Sequence, residues 1–588
     1  FTPHLSGHSS DVICFANANK GVFLWDMADS GFRKVQIQAI GVNGALSYPP
    51  GGLTLQQKLN YNAYIIGTYA LGDRWITLWI DNREYSSIYY QILNQNMEPL
   101  LEPDGRRLNF APNSYTYIQK STITPDGKLA LIYSTQTYLP EQTLNNTWLQ
   151  IIDSNGEPFY VGYGFALAGD NDYQISCSGD ALYLGWTKYH VGPVHQVIGQ
   201  KFVNGIPMWG VEGKVLASAP LIYLIQLKGI AGPYYIWNIN SPDQEHTFCR
   251  TLRLDANGDP ALGWPAEGMD IIVDNWYLDH ELAEMSTVGD DLVAFINLYK
   301  TGSYATRVQK INTLGERLWG PGGHSISGTD QWMIINDVVY GQDLYFITTT
   351  EGYEDERRIS FRHINAAGYE MTQPAGTEVV AATSNVYDAS LVRFASGSFL
   401  CTYSDNDGAL IQNRDVFMRQ ISPDGTPVGN APILLCGERY QQEYISTAVI
   451  GNKAFVTWGD SRAGIMNSEE TWSGIWGNMV TSAFTPNDDP QHSPLAQPVI
   501  DGNYPNPFNP STSIGFSLPV AAPVTLAVYN LKGQLVKTLL SNSELGSGKH
   551  SVIWDGLDDN GRSVSSGIYF CRLSSGSTQA TRKMLLAK

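Results

Sequence analysis

Two stretches of this chain carry the same chemistry-bearing order, W-x-D-x-R: Trp79, Asp81 and Arg83, and again Trp458, Asp460 and Arg462. A carboxylate and a guanidinium two residues apart can line a polar rim for a ligand. They can equally pair with each other and fix a turn, which is the commoner use. Other candidate ligand-binding residues are Tyr138, Asp405, Asp407, Glu469, Glu470 and Trp472. Acidic turns at Asp255-Asn257-Asp259, Asp405-Asp407 and Asp558-Asp559-Asn560 invite a cation. Hard cations such as calcium want six to eight oxygens, and none of these stretches is a twelve-residue loop closed by Glu. They are read as hairpin or loop turns, so no metal or cofactor is expected, with calcium kept as a weak reading. His190 and His195 lie five apart with no third ligand in a zinc-like pattern. No GxSxG, P-loop or HExxH is present. Glycoside hydrolysis needs two carboxylates at a set separation, and the acidic residues here are too many and too scattered to choose a pair.

The elements that would position these residues repeat. A bulky residue near the end of a strand recurs at Trp25, Trp79, Tyr133, Trp186, Trp237, Ile296, Ile347, Tyr403 and Trp458, with gaps of 51 to 59 residues. A turn residue follows at Gly44, Asn96, Gly156, Gly205, Gly258, Gly315, Gly368 and Gly425. Two markers keeping one spacing define a repeat. Each unit reads as four short strands, in the fourth unit roughly 174–178, 182–187, 196–202 and 208–216. The turn glycine suits the positive φ of a tight hairpin between strands three and four. An aromatic four residues later (Tyr48, Tyr160, Trp209, Trp319) falls where it can pack between neighbouring sheets. Four-stranded units of this period predict an all-β fold, a β-propeller over residues 1–484. Nine repeats are counted, and eight blades with one repeat displaced stays open. The ninth unit stops after three strands, and residues 1–6 are expected to supply its outer strand. Sialidase-type Asp boxes on such hairpins read S-x-D-x-G-x-x-W, which these turns do not match. The segments between strands two and three are longest at 135–147, 405–415 and 461–473. Varied loops on a fixed scaffold are where function usually sits, so the binding face is expected there.

A Pro-rich linker, 485–500, leads to a tail at 501–588. Alternating apolar runs at 514–518, 524–529, 552–554 and 568–573 are separated by turn signals, the habit of a small antiparallel β-sandwich. The tail opens with Tyr504-Pro505-Asn506-Pro507-Phe508-Asn509-Pro510. It continues through Val528-Tyr529-Asn530, Gly533-Gln534-Leu535-Val536, Trp554-Asp555-Gly556 and Ser566-Gly567-Ile568-Tyr569-Phe570 to Arg582-Lys583-Met584. On these residues it resembles the Ig-like C-terminal sorting domain of bacterial type IX secretion substrates, which is related to the Ig-like domain of flagellar hook-capping proteins. The resemblance implies passage through the outer membrane, with the type IX machinery as a partner and Tyr504 to Pro510 as the sorting motif. Repeat arrays of this kind also resemble the domains that often precede such tails.

Charge sorts with this division. The chain has 588 residues and a net charge of −19. The tail holds eight Lys/Arg against five Asp/Glu, and the preceding residues hold 29 against 51. An acidic body argues against nucleic acid and anionic membrane surfaces as partners. No apolar run is long enough for a transmembrane helix. The chain starts at Phe1 without Met, and a removed signal peptide is expected. The six cysteines show no CxxC or His pairing and are read mostly as core residues, with one or two disulfides allowed by export. These readings lean away from an enzyme. They point to an exported extracellular or cell-surface protein, binding or structural, whose propeller engages a protein, a glycan or copies of itself. The alternative is a secreted polysaccharide-acting hydrolase working from the propeller loop face.

Overall fold

The computed structural model describes residues 12–587 apart from 18–19, 30–31, 43–44, 50–51, 57–61, 83–85, 109–113, 140–141, 169–170, 241–245, 275–276, 301–302, 327–332, 342, 352–356, 373–375, 407–413, 430, 438–441, 461–473, 483–498, 519–521, 547 and 576–577. Contacts divide the chain into two compact units, Phe1–Ala483 and Phe484–Lys588.

The first unit is a succession of antiparallel sheets whose strands follow chain order. The first sheet is Val12–Asn17, Lys20–Asp29, Phe32–Gly41 and Leu53–Thr54. The second is Ala63–Leu71, Arg74–Asp81, Ser87–Leu93 and Arg106–Arg107. The third is Ser114–Ile123, Leu129–Tyr138, Thr143–Ile152 and Phe165–Leu167. The fourth is Asn171–Ser178, Ala181–Val191, Val194–Val203 and Lys214–Pro220. Ile225–Ala231, Tyr234–Asn240, Thr247–Arg253 and Met269–Asp270 make the fifth; Asp279–Val288, Asp291–Lys300, Ser303–Ile311 and His324–Ser325 make the sixth. A single parallel bridge, Thr247 to Asp279, joins those two. Met333–Val339, Leu344–Glu351 and Arg357–Ile364 belong to the seventh, Phe399–Asn406, Arg414–Ile421 and Ile433–Cys436 to the eighth. One 17-residue strand, Thr377–Arg393, serves both: its first half pairs with Arg357–Ile364 and its second with Phe399–Asn406. The ninth sheet has three described strands, Gln442–Ile450, Lys453–Asp460 and Gly474–Thr481. Residues 1–6, expected as its fourth, lie outside the described residues.

Each sheet packs on the next through its first strand, and the ninth packs on the first. Phe23 meets Phe455 edge-on at 6.1 Å, and Lys453 Nζ donates to the carbonyl of Val42 at 3.1 Å. The nine repeats are therefore nine sheets, and the eight-blade alternative falls away.

The bulky landmark of every repeat lies on the second strand and is buried, from Trp79, Tyr133, Ile296 and Ile347 at 0% to Trp458 at 4% exposure. At about 25 cal/mol per Å2, each such side chain contributes roughly 3 kcal/mol of burial to its sheet-to-sheet layer. The turn landmark is left-handed, with φ of 81° at Gly156, 76° at Gly205 and 83° at Gly315. In the second sheet the left-handed residue is Met97 (φ 72°) rather than Asn96, because the turn counts three residues from the Asn94 carbonyl that accepts the Met97 amide.

The fourth strand differs from expectation. In the fourth sheet Ile206–Pro207 pairs briefly with the third strand, 208–213 are bends and irregular chain, and the last strand is Lys214–Pro220. A buried glutamine holds the intervening chain. Gln200 Oε1 accepts the amides of Lys201 and Trp209 at 2.9 and 3.1 Å, and its Nε2 donates to the carbonyl of Gly210 at hydrogen-bonding distance. Gln38, Gln91, Gln150 and Gln309 make the same bridge in their sheets. Backbone groups that leave the ladder are thus satisfied by a side chain.

The second unit is a sandwich. One sheet is Val499–Tyr504, Thr512–Leu518 and Gly548–Trp554; the other is Leu535–Leu545, Ala522–Asn530, Gly567–Ser575 and Thr578–Leu586. Phe508, Ile514, Phe516, Leu526, Val528, Trp554, Cys571, Leu573 and Met584 fill the space between them. Val499 and Ile500, expected in the linker, already belong to the first strand.

Candidate functional site

The segment 135–147, expected as a long loop, is instead a long hairpin. Leu129–Tyr138 and Thr143–Ile152 stay paired out to Tyr138 opposite Thr143, and the turn closes with the Leu139 amide on the Gln142 carbonyl at 2.9 Å. The body end of this hairpin is buried. From Tyr138 outward and back to Asn146 the described residues are exposed. Tyr138 is 50% exposed, and its hydroxyl donates to Gln136 Oε1 at 2.6 Å. Its ring meets Tyr115, from the first strand of the same sheet, edge-on at 5.7 Å and 87°. Tyr115 and Tyr117 alternate with buried Ser114 and Thr116, and are 52% and 45% exposed.

The base of this patch is braced by hydroxyls. Ser114 and Thr137 hydroxyls lie 2.6 Å apart and Ser134 and Thr147 hydroxyls 2.8 Å apart; Trp148 Nε1 donates to Thr135 Oγ1 at 3.2 Å. The second sheet closes one side, with the Thr116 amide donating to the Ser86 carbonyl at 2.9 Å. Tyr115 and Tyr117 went unremarked in the sequence because its aromatics were assigned to the core. The alternation Tyr115-Thr116-Tyr117 after Ser114 was the available signal.

The remaining candidates are dispersed. Asp81 is fully buried at the end of its strand, opposite Ser87 and Ala63. Asp405 is half-buried in the eighth sheet, in register with Asp415, while Arg414 lies 3.9 Å over the ring of Tyr387. Asp460 ends its strand opposite Gly474, with its side chain outside the described residues. Arg83, Asp407, Arg462, Glu469, Glu470 and Trp472 also lie outside them.

Other polar groups are tied within their sheet or to the next one. Asp172 accepts from Tyr189 at 2.7 Å and from Gln226 at 2.9 Å. Asp337 accepts the Leu391 amide at 2.9 Å. His190 donates its backbone amide to His195 Nδ1 at 3.2 Å. The acidic turns are built as Asx turns: Asp255 Oδ1 accepts the amides of Asn257 and Asp259, and Asp558 Oδ1 those of Asn560 and Arg562. Clefts open on the other face, among the turns that join strands one to two and three to four. One of about 310 Å3 is lined by Asp126, Lys128, Phe159 and Asp180, and one of about 410 Å3 by Lys201, Arg253, Asp255 and Asp290.

In the tail, the motif residues hold the end of the last strand. The Phe508 amide donates to the Leu585 carbonyl at 2.9 Å, and the Ala587 amide returns to the Phe508 carbonyl at 3.0 Å. Asn506 Oδ1 accepts the Leu585 amide at 2.9 Å, and the Pro505 carbonyl accepts from Thr512 Oγ1 at 2.8 Å. Phe508 is buried against Trp554 at 5.3 Å. Pro507, Asn509 and Pro510 are exposed; Tyr504 ends the first strand, its side chain outside the described residues. Leu531, Leu535 and Ile553 are exposed on the outside of the sandwich. Cys401 and Cys571 are buried thiols, pushed up to about 12 and about 11 by desolvation. Among the described residues no group of three or more His, Cys, Asp or Glu is placed to hold a metal ion, and no helix is long and apolar enough to cross a membrane.

No curated protein matches the chain. Solved structures align at low similarity. A puromycin-hydrolyzing peptidase of Mycobacterium tuberculosis is 12% identical, with 68% of this chain and 59% of that chain covered and a TM-score of 0.33. The chain thus spans less than two thirds of that peptidase. A PL25 ulvan lyase is 11% identical, with 71% and 95% covered and a TM-score of 0.35. PorZ, a bacterial surface component of the type IX secretion system of Porphyromonas gingivalis, is 10% identical, with 100% and 99% covered and a TM-score of 0.15. One family model matches part of the chain: residues 505–579 are similar to the FlgD Ig-like domain.

Proposed function

We propose that this is an exported extracellular or cell-surface protein, non-enzymatic, whose propeller is a binding or assembly platform and whose tail is a type IX sorting domain. The observation that carries the reading is the tail. An FlgD Ig-like domain forms its own compact unit, keeps a basic exposed end at Arg582 and Lys583, and presents Leu531, Leu535 and Ile553 outward. Exposed apolar and basic side chains on the outside of the sandwich suit recognition by another protein. Since Phe508 and Asn506 are engaged within the fold, the machinery would read the outer surface of the sandwich rather than those side chains. The propeller supports the platform half of the reading. Its buried landmarks fix nine sheets, while the third sheet exposes Tyr138 on its hairpin and Tyr115 and Tyr117 on its first strand.

The test is intact mass and electron microscopy of untreated native material recovered outside the cells, in strains with and without a working type IX apparatus. Full-length chain in polymers or on a surface, lost when the apparatus is disabled, is the expected result. A free monomer ending near residue 500 would overturn the structural role of the tail. Export that persists without the apparatus would overturn the sorting role.

A further inference from the structure

We infer that Tyr115, Tyr117 and Tyr138 form a binding site for a neutral glycan chain. This rests on the reading of the propeller as a platform and names the ligand class of one part of it. The bulky residues that mark each repeat are buried; these three are 52%, 45% and 50% exposed. Their positions are fixed before any ligand arrives. Tyr115 and Tyr117 stand on one face of a paired strand, about 7 Å apart along it, a spacing on the scale of one sugar unit. The edge-on contact of Tyr115 with Tyr138 and the Tyr138 bond to Gln136 set the third ring. Ordering is therefore largely complete, which lowers the entropic cost of binding.

The chemistry around the rings selects the ligand. The apolar C–H face of a sugar packs on an aromatic face, and its hydroxyls need donors and acceptors at the ring edges. Gln136, Thr143 and Asn145, in register on the same face as the tyrosines, supply amides and a hydroxyl there. The described residues from Gln136 to Asn146 bear no charge, and Pro140 and Glu141 lie outside them. A patch whose described residues are uncharged, on an acidic body, suits a neutral saccharide better than an anionic one.

The experiment is affinity electrophoresis of the full chain through gels containing dextran, yeast mannan, laminarin or a soluble xyloglucan, with alginate as the anionic comparison. Reducing ends are assayed on the same mixtures, and sedimentation is run on the same preparations. We expect retardation by at least one neutral polysaccharide and not by alginate. Tyr115→Ala and Tyr117→Ala should each weaken it by about tenfold, and Tyr138→Ala, on a different strand, should also weaken it. Tyr115→Phe should retain it. Retardation by none of the neutral polysaccharides overturns the inference, as does retardation that all three alanine variants keep. An oligomer in the wild type that Tyr115→Ala dissociates, without retardation, makes the patch a protein-docking surface and overturns it too. Release of reducing ends with tyrosine-dependent retardation leaves the glycan site standing and overturns the non-enzymatic reading instead.

Discussion

The Tyr160 hydroxyl, on the outer arm of the third sheet, donates to the carbonyl of Gly205 in the turn of the fourth at 2.5 Å. The relation repeats around the first unit. Tyr48 bonds the carbonyl of Met97, Trp209 Nε1 that of Ala256 at 3.2 Å, and Trp264 Nε1 that of Thr313 at 3.0 Å. Each aromatic reaches from its own arm to the left-handed turn of the next sheet. Removing the hydroxyl alone, Tyr160→Phe, should cost about 1 kcal/mol. Trp209→Ala, which empties a buried site as well, should cost about 3–5 kcal/mol. Chemical denaturation monitored by circular dichroism should rank them in that order. Equal effects would show that the hydrogen bond and not the ring makes the clamp.

Gln200 offers a second test. Gln200→Leu keeps the volume but strands the Trp209 amide and the Gly210 carbonyl, each satisfied by that side chain in the wild type. The expected loss is about 1–3 kcal/mol. The fifth sheet has the buried Leu252 at the corresponding position, so that sheet should be indifferent to Leu252→Met.

Acid should loosen the interface of the fifth and sixth sheets. His280 is buried, with Phe248 edge-on at 6.2 Å, and burial pushes its pKa down against the opposing pull of Asp274, Asp270 and Asp279 and with the help of Arg307. A histidine held neutral in the fold protonates more readily when unfolded. Its contribution is therefore complete above the unfolded value of about 6.5 and is lost as pH falls below it. His324, also depressed by burial and by Arg362, acts in the same direction. Urea midpoints should drop between pH 7.5 and 5, and His280→Leu should flatten part of that slope. An unchanged slope would mean that His280 does not titrate with unfolding.

In the tail, Phe508→Ala should destabilise the sandwich by about 3–5 kcal/mol. Asn506→Ala, which removes the acceptor of the Leu585 amide, should cost about 1 kcal/mol. Limited proteolysis of the full chain at rising urea should release the tail earlier in both variants and leave the propeller intact. Loss of export without earlier release would return these residues to direct recognition.

Burial also protects the thiols. With Cys401 pushed up to about 12 and Cys571 to about 11, thiol reagent at pH 8 should not label either in the native chain. Both should label once the chain is denatured.

Much of this was legible in the residues. A buried landmark every 51 to 59 positions identifies the second strand of all nine sheets, because only a bulky side chain can fill the layer between neighbouring sheets. The turn glycines announced the hairpins, since a positive φ penalises other residues. The tail announced its own fold through alternation and turn chemistry. What the sequence could not supply were relations between distant positions. The ninth sheet meets the first only when Phe455 and Phe23 are brought together, and no local signal records a contact across that distance. The strand Thr377–Arg393 belongs to two sheets because its two halves find different partners. Gln200 and its counterparts repeat in the sequence, yet their purpose is visible only where the chain leaves the ladder. Tyr138 was a ligand-binding candidate in the sequence, whereas Tyr115 and Tyr117 look like the aromatics that fill the core. Alternation sets Tyr115 and Tyr117 on one face, but tertiary structure decided that this face is outward, because exposure depends on what the neighbouring sheet covers.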